Sequence, residues 1–206
     1  MGALTAPVMQ QLLLIAALLL PKMVSSCDEI PECQTISIQE TTSQITITGL
    51  AGGFFVQYIT GINGTMILAS DNSRNNTSLM SVVSGTQYVI YYGNDTISCC
   101  RNVTTKPLSV KFLQIGAVTS YSVSLTWNNP YENQTSYGYR VQTFNSSATM
   151  INNIIVTSES VTIMNLTPGE TYTFLVYTRA ADNITESDPI SLATYIVANF
   201  LSLPHY

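Results

Sequence analysis

Four cysteines, one histidine and twelve carboxylates are the side chains from which any reactive centre in this sequence would be built. The cysteines fall into two close pairs, Cys27 with Cys33 and Cys99 with Cys100. A zinc site would draw its ligands from Cys, His and carboxylate side chains, but no histidine lies near these four. An even number of cysteines fits a disulfide framework in an oxidising compartment. Bonding Cys99 to Cys100 would need a strained vicinal ring, far from the preferred disulfide geometry. The expectation is two bridges tying Cys27 and Cys33 to Cys99 and Cys100, in either order. Each would close a loop of roughly 65–75 residues and stabilise by several kcal/mol in the chain-entropy account.

Catalysis finds less support. His205 is the penultimate residue, so no Ser-His-Asp or Cys-His set can be assembled around it. Paired carboxylates could work as in glycosidases. However, Glu132, Glu159, Glu170, Asp182, Glu186 and Asp188 fall in expected loops, where acids are ordinarily solvated. The "AGG" at 51–53 reads as a hairpin turn rather than a phosphate loop. No enzyme activity, cofactor or metal is expected.

Composition points to export. Hydrophobic residues make up 46% of the 206 and charged residues only 9%, with seven Lys plus Arg against twelve Asp plus Glu. That balance offers no electrostatic footprint for nucleic acid or for anionic lipid. The run "LLLIAALLL" (12–20) is too short to span a bilayer, and Pro21 follows it. Val24 and Ser26 give small-residue spacing before Cys27, so residues 1–26 read as a signal peptide, although no basic residue precedes the apolar run. Asn-x-Ser/Thr sequons begin at Asn63, Asn75, Asn76, Asn94, Asn102, Asn133, Asn145, Asn165 and Asn183, nine in all. About four would arise by chance with Ser and Thr near a quarter of the chain. Glycans there would supply the solubility that charged side chains do not. The expected location is secreted or on the extracellular side of the plasma membrane. No membrane span is expected: the apolar tail 199–206 is too short to cross and carries no glycolipid-anchor pattern.

Strands must position whatever this chain presents. After residue 26 the apolar residues alternate with period two in short runs, including "SVSLTW" (122–127), "YGYRVQTF" (137–144), "SVTIMNL" (160–166) and "YTFLVYTRA" (172–180). Turn clusters separate these runs, a pattern that predicts antiparallel sandwiches. A faint repeat sets 77–95 over 161–181, with Val82 on Leu166, Gly85 on Gly169, Tyr88 on Tyr172 and Ile90 on Phe174. Upstream, Ile45 and Ile47 take the places of Val123 and Leu125. "RNVTTKP" (101–107) reads as a linker between the copies.

In the second copy Leu166, Pro168, Gly169 and Tyr172 are spaced as a tyrosine corner, in which a strand-opening tyrosine returns its hydroxyl to the backbone upstream. With Pro107, Trp127, Tyr139 and Val141 they make residues 105–198 resemble a fibronectin type III domain. Residues 27–104 resemble a degenerate copy, with Gly49 in place of the tryptophan and Ser84 in place of the corner proline. The sequon-rich texture and the "NLTPGETY" corner are similar to ectodomain repeats of receptor-type protein tyrosine phosphatases of the eta and H kind. The resemblance implies an all-β chain of two tandem immunoglobulin-like sandwiches. It also brings the start of the first domain and the loop before its last strand to one end, where the cysteines could meet.

The function it implies is non-enzymatic protein recognition in cell adhesion or receptor signalling, with a protein ligand or cell-surface receptor as partner. If Phe174 and Val176 face inward, Leu175, Tyr177 and Arg179 face outward beside Arg140 and Gln142, an apolar-aromatic face rimmed by arginine. The alternative is a soluble cytokine-receptor-like decoy that holds its ligand at the elbow near residue 105.

Overall fold

The computed structural model describes residues 33, 35–61, 66–67, 76–80, 82–131 and 138–198. The expected signal peptide, Cys27, Glu132, the tail 199–206 with His205, and the sequon asparagines Asn63, Asn75 and Asn133 lie outside them. Every regular element among the described residues is a β-strand.

The strands form two sandwiches in succession, each of a three-stranded and a four-stranded antiparallel sheet. In the first, β1 (Ser37–Glu40), β2 (Gln44–Thr48) and β5 (Asn76–Met80) pair in the order β1-β2-β5. Against them lie β3 (Phe55–Gly61), β4 (Met66–Ile67), β6 (Gln87–Gly93) and β7 (Ser98–Thr104), ordered β4-β3-β6-β7. In the second, β8 (Lys111–Val118), β9 (Val123–Asn128) and β12 (Ser160–Ile163) are ordered β12-β9-β8. Facing them are β10 (Tyr139–Phe144), β11 (Met150–Val156), β13 (Thr171–Thr178) and β14 (Ile190–Tyr195), ordered β11-β10-β13-β14. The degenerate copy therefore has all seven strands in the same order as its neighbour.

One local expectation is corrected. Residues 51–53 are not a hairpin turn, because β2 pairs only with β1 and β5 whereas β3 pairs with β4 and β6. They carry the chain from one sheet to the other. The amide of Phe54 closes the turn on the Ala51 carbonyl at 3.0 Å, and the Phe54 ring is buried behind it.

The repeat register has a physical basis. Ile45 and Ile47 in β2, and Val123 and Leu125 in β9, are all fully buried, as are Ile90 and Phe174 in β6 and β13. Alternation places every second side chain in the core, where each stabilises by about 1.5–3 kcal/mol relative to exposure. Both copies also close with the same bond. The amide of Thr167 donates to Tyr172 Oη at 2.9 Å, and the amide of Val83 donates to Tyr88 Oη at 2.7 Å. The first copy makes this corner without a proline. Gly85 and Gly169 each adopt positive φ, 67° and 83°, in a turn where a β-carbon would be strained.

Candidate interaction surfaces

The core aromatics of the second sandwich are fixed by its strands. Trp127 on β9 and Tyr139 on β10 are buried and meet edge to face, ring centroids 5.2 Å apart at 71°. Leu166, Tyr172, Phe174 and Val176 belong to the same buried cluster. Pro168 is half-buried and Gly169 exposed, because the corner turn they build lies at the surface. In the first sandwich the position aligned with Trp127 is Gly49, at φ 86°, and a disulfide joins Cys33 to Cys99 across 66 residues. Cys99 is buried among the core side chains. Cys100, one residue on, belongs to the opposite face of β7 and is also disulfide-bonded. No cysteine among the described residues is free.

Outward-facing side chains of the second sandwich's larger sheet bring Arg140, Leu175 and Tyr177 together. Cross-strand pairing sets Ile155 beside Arg140 and Arg140 beside Tyr177 in one row. The next row sets Asn153 beside Gln142 and Gln142 beside Leu175. The Arg140 guanidinium lies 4.0 Å from the Tyr177 ring centroid, and Tyr177 Oη donates to Gln142 Oε1 at 3.2 Å. Ile155, 59% exposed, and Ile151 extend the apolar surface across β11.

Arg140 is not the loose rim cation expected from sequence. It grips Glu186 with both arms of its fork, Nε to Oε1 at 2.7 Å and Nη2 to Oε2. That hydrogen bond and the Glu186 charge raise its pKa, outweighing partial burial. Arg179 likewise donates to the Asn183 carbonyl instead of standing clear. The partner that organises the face is Glu186, one of the acids the sequence pattern places in solvated loops. The signal that could have located it is the loop between β13 and β14, which sets Glu186 beside Arg179 at the end of β13, within reach of Arg140 across Tyr177.

Asp182, another of those acids, builds the same loop. Its carboxyl is partly buried, which alone would raise its pKa. The Thr185 hydroxyl and the amides of Ile184 and Thr185 donate to it and, with the neighbouring Thr104 hydroxyl, bring the net shift below the ordinary carboxylate value. Thr104 belongs to the first sandwich, so the loop meets it at the junction. The Ala181 amide bonds across that junction, to the Gly85 carbonyl at 3.0 Å. Gly85 is buried there, and a β-carbon on it would sit 2.6 Å from Tyr131 Oη and 3.4 Å from Pro107 Cβ. Thr105 is fully buried, its hydroxyl donating to the Val83 carbonyl at 2.6 Å and accepting from the Thr86 amide at 3.0 Å. Lys106 pairs with Asp188 at 2.7 Å. Beside the junction lies a cleft of about 550 Å³ whose lining includes Glu40, Arg101, Asn102 and Thr104 from one side and Asp182 and Thr185 from the other.

The sequons scatter around these features. Asn94, Asn145, Asn165 and Asn183 are in turns, and Asn102 lies within β7. Asn76 begins β5. Asn165 and Asn183 adopt φ of 61° and 60°, a left-handed conformation that asparagine tolerates better than most residues. Glu170 accepts from the Ser146 hydroxyl at 2.9 Å, and Glu159 is exposed. Among the described residues no three of His, Cys, Asp and Glu are grouped to hold a metal, and no helix is long and apolar enough to cross a membrane.

A family model for the fibronectin type III domain matches residues 106–193. Residues 106–193 are a fibronectin type III domain. A two-domain fibronectin type III segment of chicken tenascin superposes on 79% of this chain and 98% of its own, with a TM-score of 0.57 at 16% identity. At that identity it shows the fold alone, for both sandwiches. A curated relative, the receptor-type tyrosine-protein phosphatase eta of Gallus gallus, is 38% identical over 92 residues. That match covers 44% of this chain and 6% of the relative, so the chain spans a small fraction of that protein's length. The chain thus carries a fibronectin type III domain over residues 106–193 and resembles receptor-type phosphatase ectodomain repeats over 92 residues.

Proposed function

We propose that this chain is a non-enzymatic, disulfide-bonded extracellular glycoprotein that recognises a protein ligand or cell-surface receptor through the outer face of β11, β10 and β13. Fibronectin type III domains are typically extracellular protein-interaction modules, which supports the class. The observation that carries the particular face is the Arg140–Tyr177–Glu186 arrangement beside exposed Ile155. Tyrosine and arginine are over-represented among residues that dominate binding energy. Here both are already immobilised, so little side-chain freedom is lost on association.

The same carboxylate that locks Arg140 also neutralises it, so the patch is apolar and nearly uncharged. Such a surface fits a folded protein partner better than an acidic ligand. The test is binding of the multimerised chain to receptor-bearing cells, with Ile155→Glu and Tyr177→Ala compared with the unaltered protein. Loss of binding by about tenfold or more, the effect of about 1.4 kcal/mol, is expected from each. Unchanged binding in both would reject the face.

A second reading, a soluble cytokine-receptor-like decoy, is favoured by the cleft at the junction, which residues of both sandwiches line. There Glu40→Ala and Gln87→Ala would abolish binding while Ile155→Glu would not.

A further inference from the structure

Two of the sequons meet at the junction cleft. Asn102 and Thr104, the first and last residues of one sequon, both line it. So does Thr185, the last residue of the sequon that begins at Asn183 on the other sandwich. Asp182, the residue preceding Asn183, lines the cleft beside Thr104, so the two sequons face each other across the junction. Asn102 stands within a strand, whereas Asn94, Asn145, Asn165 and Asn183 stand in turns.

From this geometry we infer that the cleft is the seat of the N-linked glycan on Asn102, with the glycan of Asn183 at its rim. The volume, about 550 Å³, lies within the range of small-ligand clefts. The lining is largely polar, as a saccharide requires. Three donors, the Ile184 and Thr185 amides and the Thr185 hydroxyl, already engage Asp182, which fixes that wall. Glu40 and Gln87 supply the acceptors and amide donors for sugar hydroxyls and the acetamido group. Ile36 and Ile38 give an apolar floor for a pyranose face. A sugar held there excludes a protein ligand from the elbow and leaves the outer sheet of the second sandwich as the open surface. The inference rests on the extracellular glycoprotein reading above.

The experiment uses the full chain secreted from mammalian cells. Site-resolved glycopeptide mass spectrometry follows the release of each glycan by peptide-N-glycosidase, first native and then denatured. Asn102 is expected to be occupied, to carry less-processed high-mannose sugars than Asn145, and to be released at least tenfold more slowly in the native chain. Denaturation should bring the two rates together. Equal native rates at Asn102 and Asn145 would overturn the inference, and so would an empty Asn102 beside an occupied Asn145. If no sequon is occupied at all, the glycoprotein reading itself fails.

Discussion

The two sandwiches share a strand order, a corner and a core register, yet they are held together by different devices. The second has the Trp127–Tyr139 pair in its core. The first has a glycine at the aligned position and a disulfide, Cys33–Cys99, reaching into its core. A large aromatic stabilises the folded state directly by burial and dispersion. A cross-link acts mainly by restricting the unfolded chain. The fold is therefore compatible with either device, and the corner tyrosine is the part both copies keep.

That contrast can be broken at its extremes. Trp127→Ala should destabilise the second sandwich by about 3–5 kcal/mol and leave the first intact, which two separate transitions in chemical denaturation would show. Removing Cys33–Cys99 by a paired Cys→Ala substitution, with the Cys27–Cys100 bridge still closing nearly the same loop, should cost the first sandwich about 2–3 kcal/mol and spare the second. A similar loss in both sandwiches would mean that they fold as one cooperative unit. For the remaining two cysteines, non-reduced peptide mapping should find Cys27 joined to Cys100.

Smaller changes sharpen the likeness. Tyr88→Phe and Tyr172→Phe each strip the acceptor from one partly buried amide and should each cost about 1–3 kcal/mol. Nearly equal values would show that the first corner works as well without its proline. The smallest effect is on the junction and depends on pH. The Asp182 carboxyl titrates below its unfolded value, so its contribution is complete above about pH 4. It is lost as the pH falls through the lowered value. Asp182→Asn should abolish that acid-side dependence, followed by hydrogen exchange at the Ala181, Ile184 and Thr185 amides between pH 2 and 5.

Much of this architecture was legible in the residue pattern. Period-two runs mark β9, β10 and β13 because alternate side chains must face one core. Leu166, Pro168, Gly169 and Tyr172 mark the corner because each answers a local backbone demand. What escaped depends on contacts between distant parts of the chain. Met66–Ile67 is too short to show any period, and with Gly49 for the tryptophan and Ser84 for the proline the first copy read as degenerate although all its strands are present. Glu186 is 46 residues from Arg140, and only the closed loop between β13 and β14 brings them together. Gly85 reads as a turn glycine; that it also lets Tyr131 and Pro107 approach is set by how two folded bodies abut.

The burial of Thr105 has a mechanical consequence. A chain pulled from both ends carries tension through this segment, so the hydroxyl bonds from Thr105 to Val83 and Thr86 are loaded along with the edge of β7. Under force the connection should extend only after those bonds break, so the elbow acts as a stiff coupling rather than a slack tether.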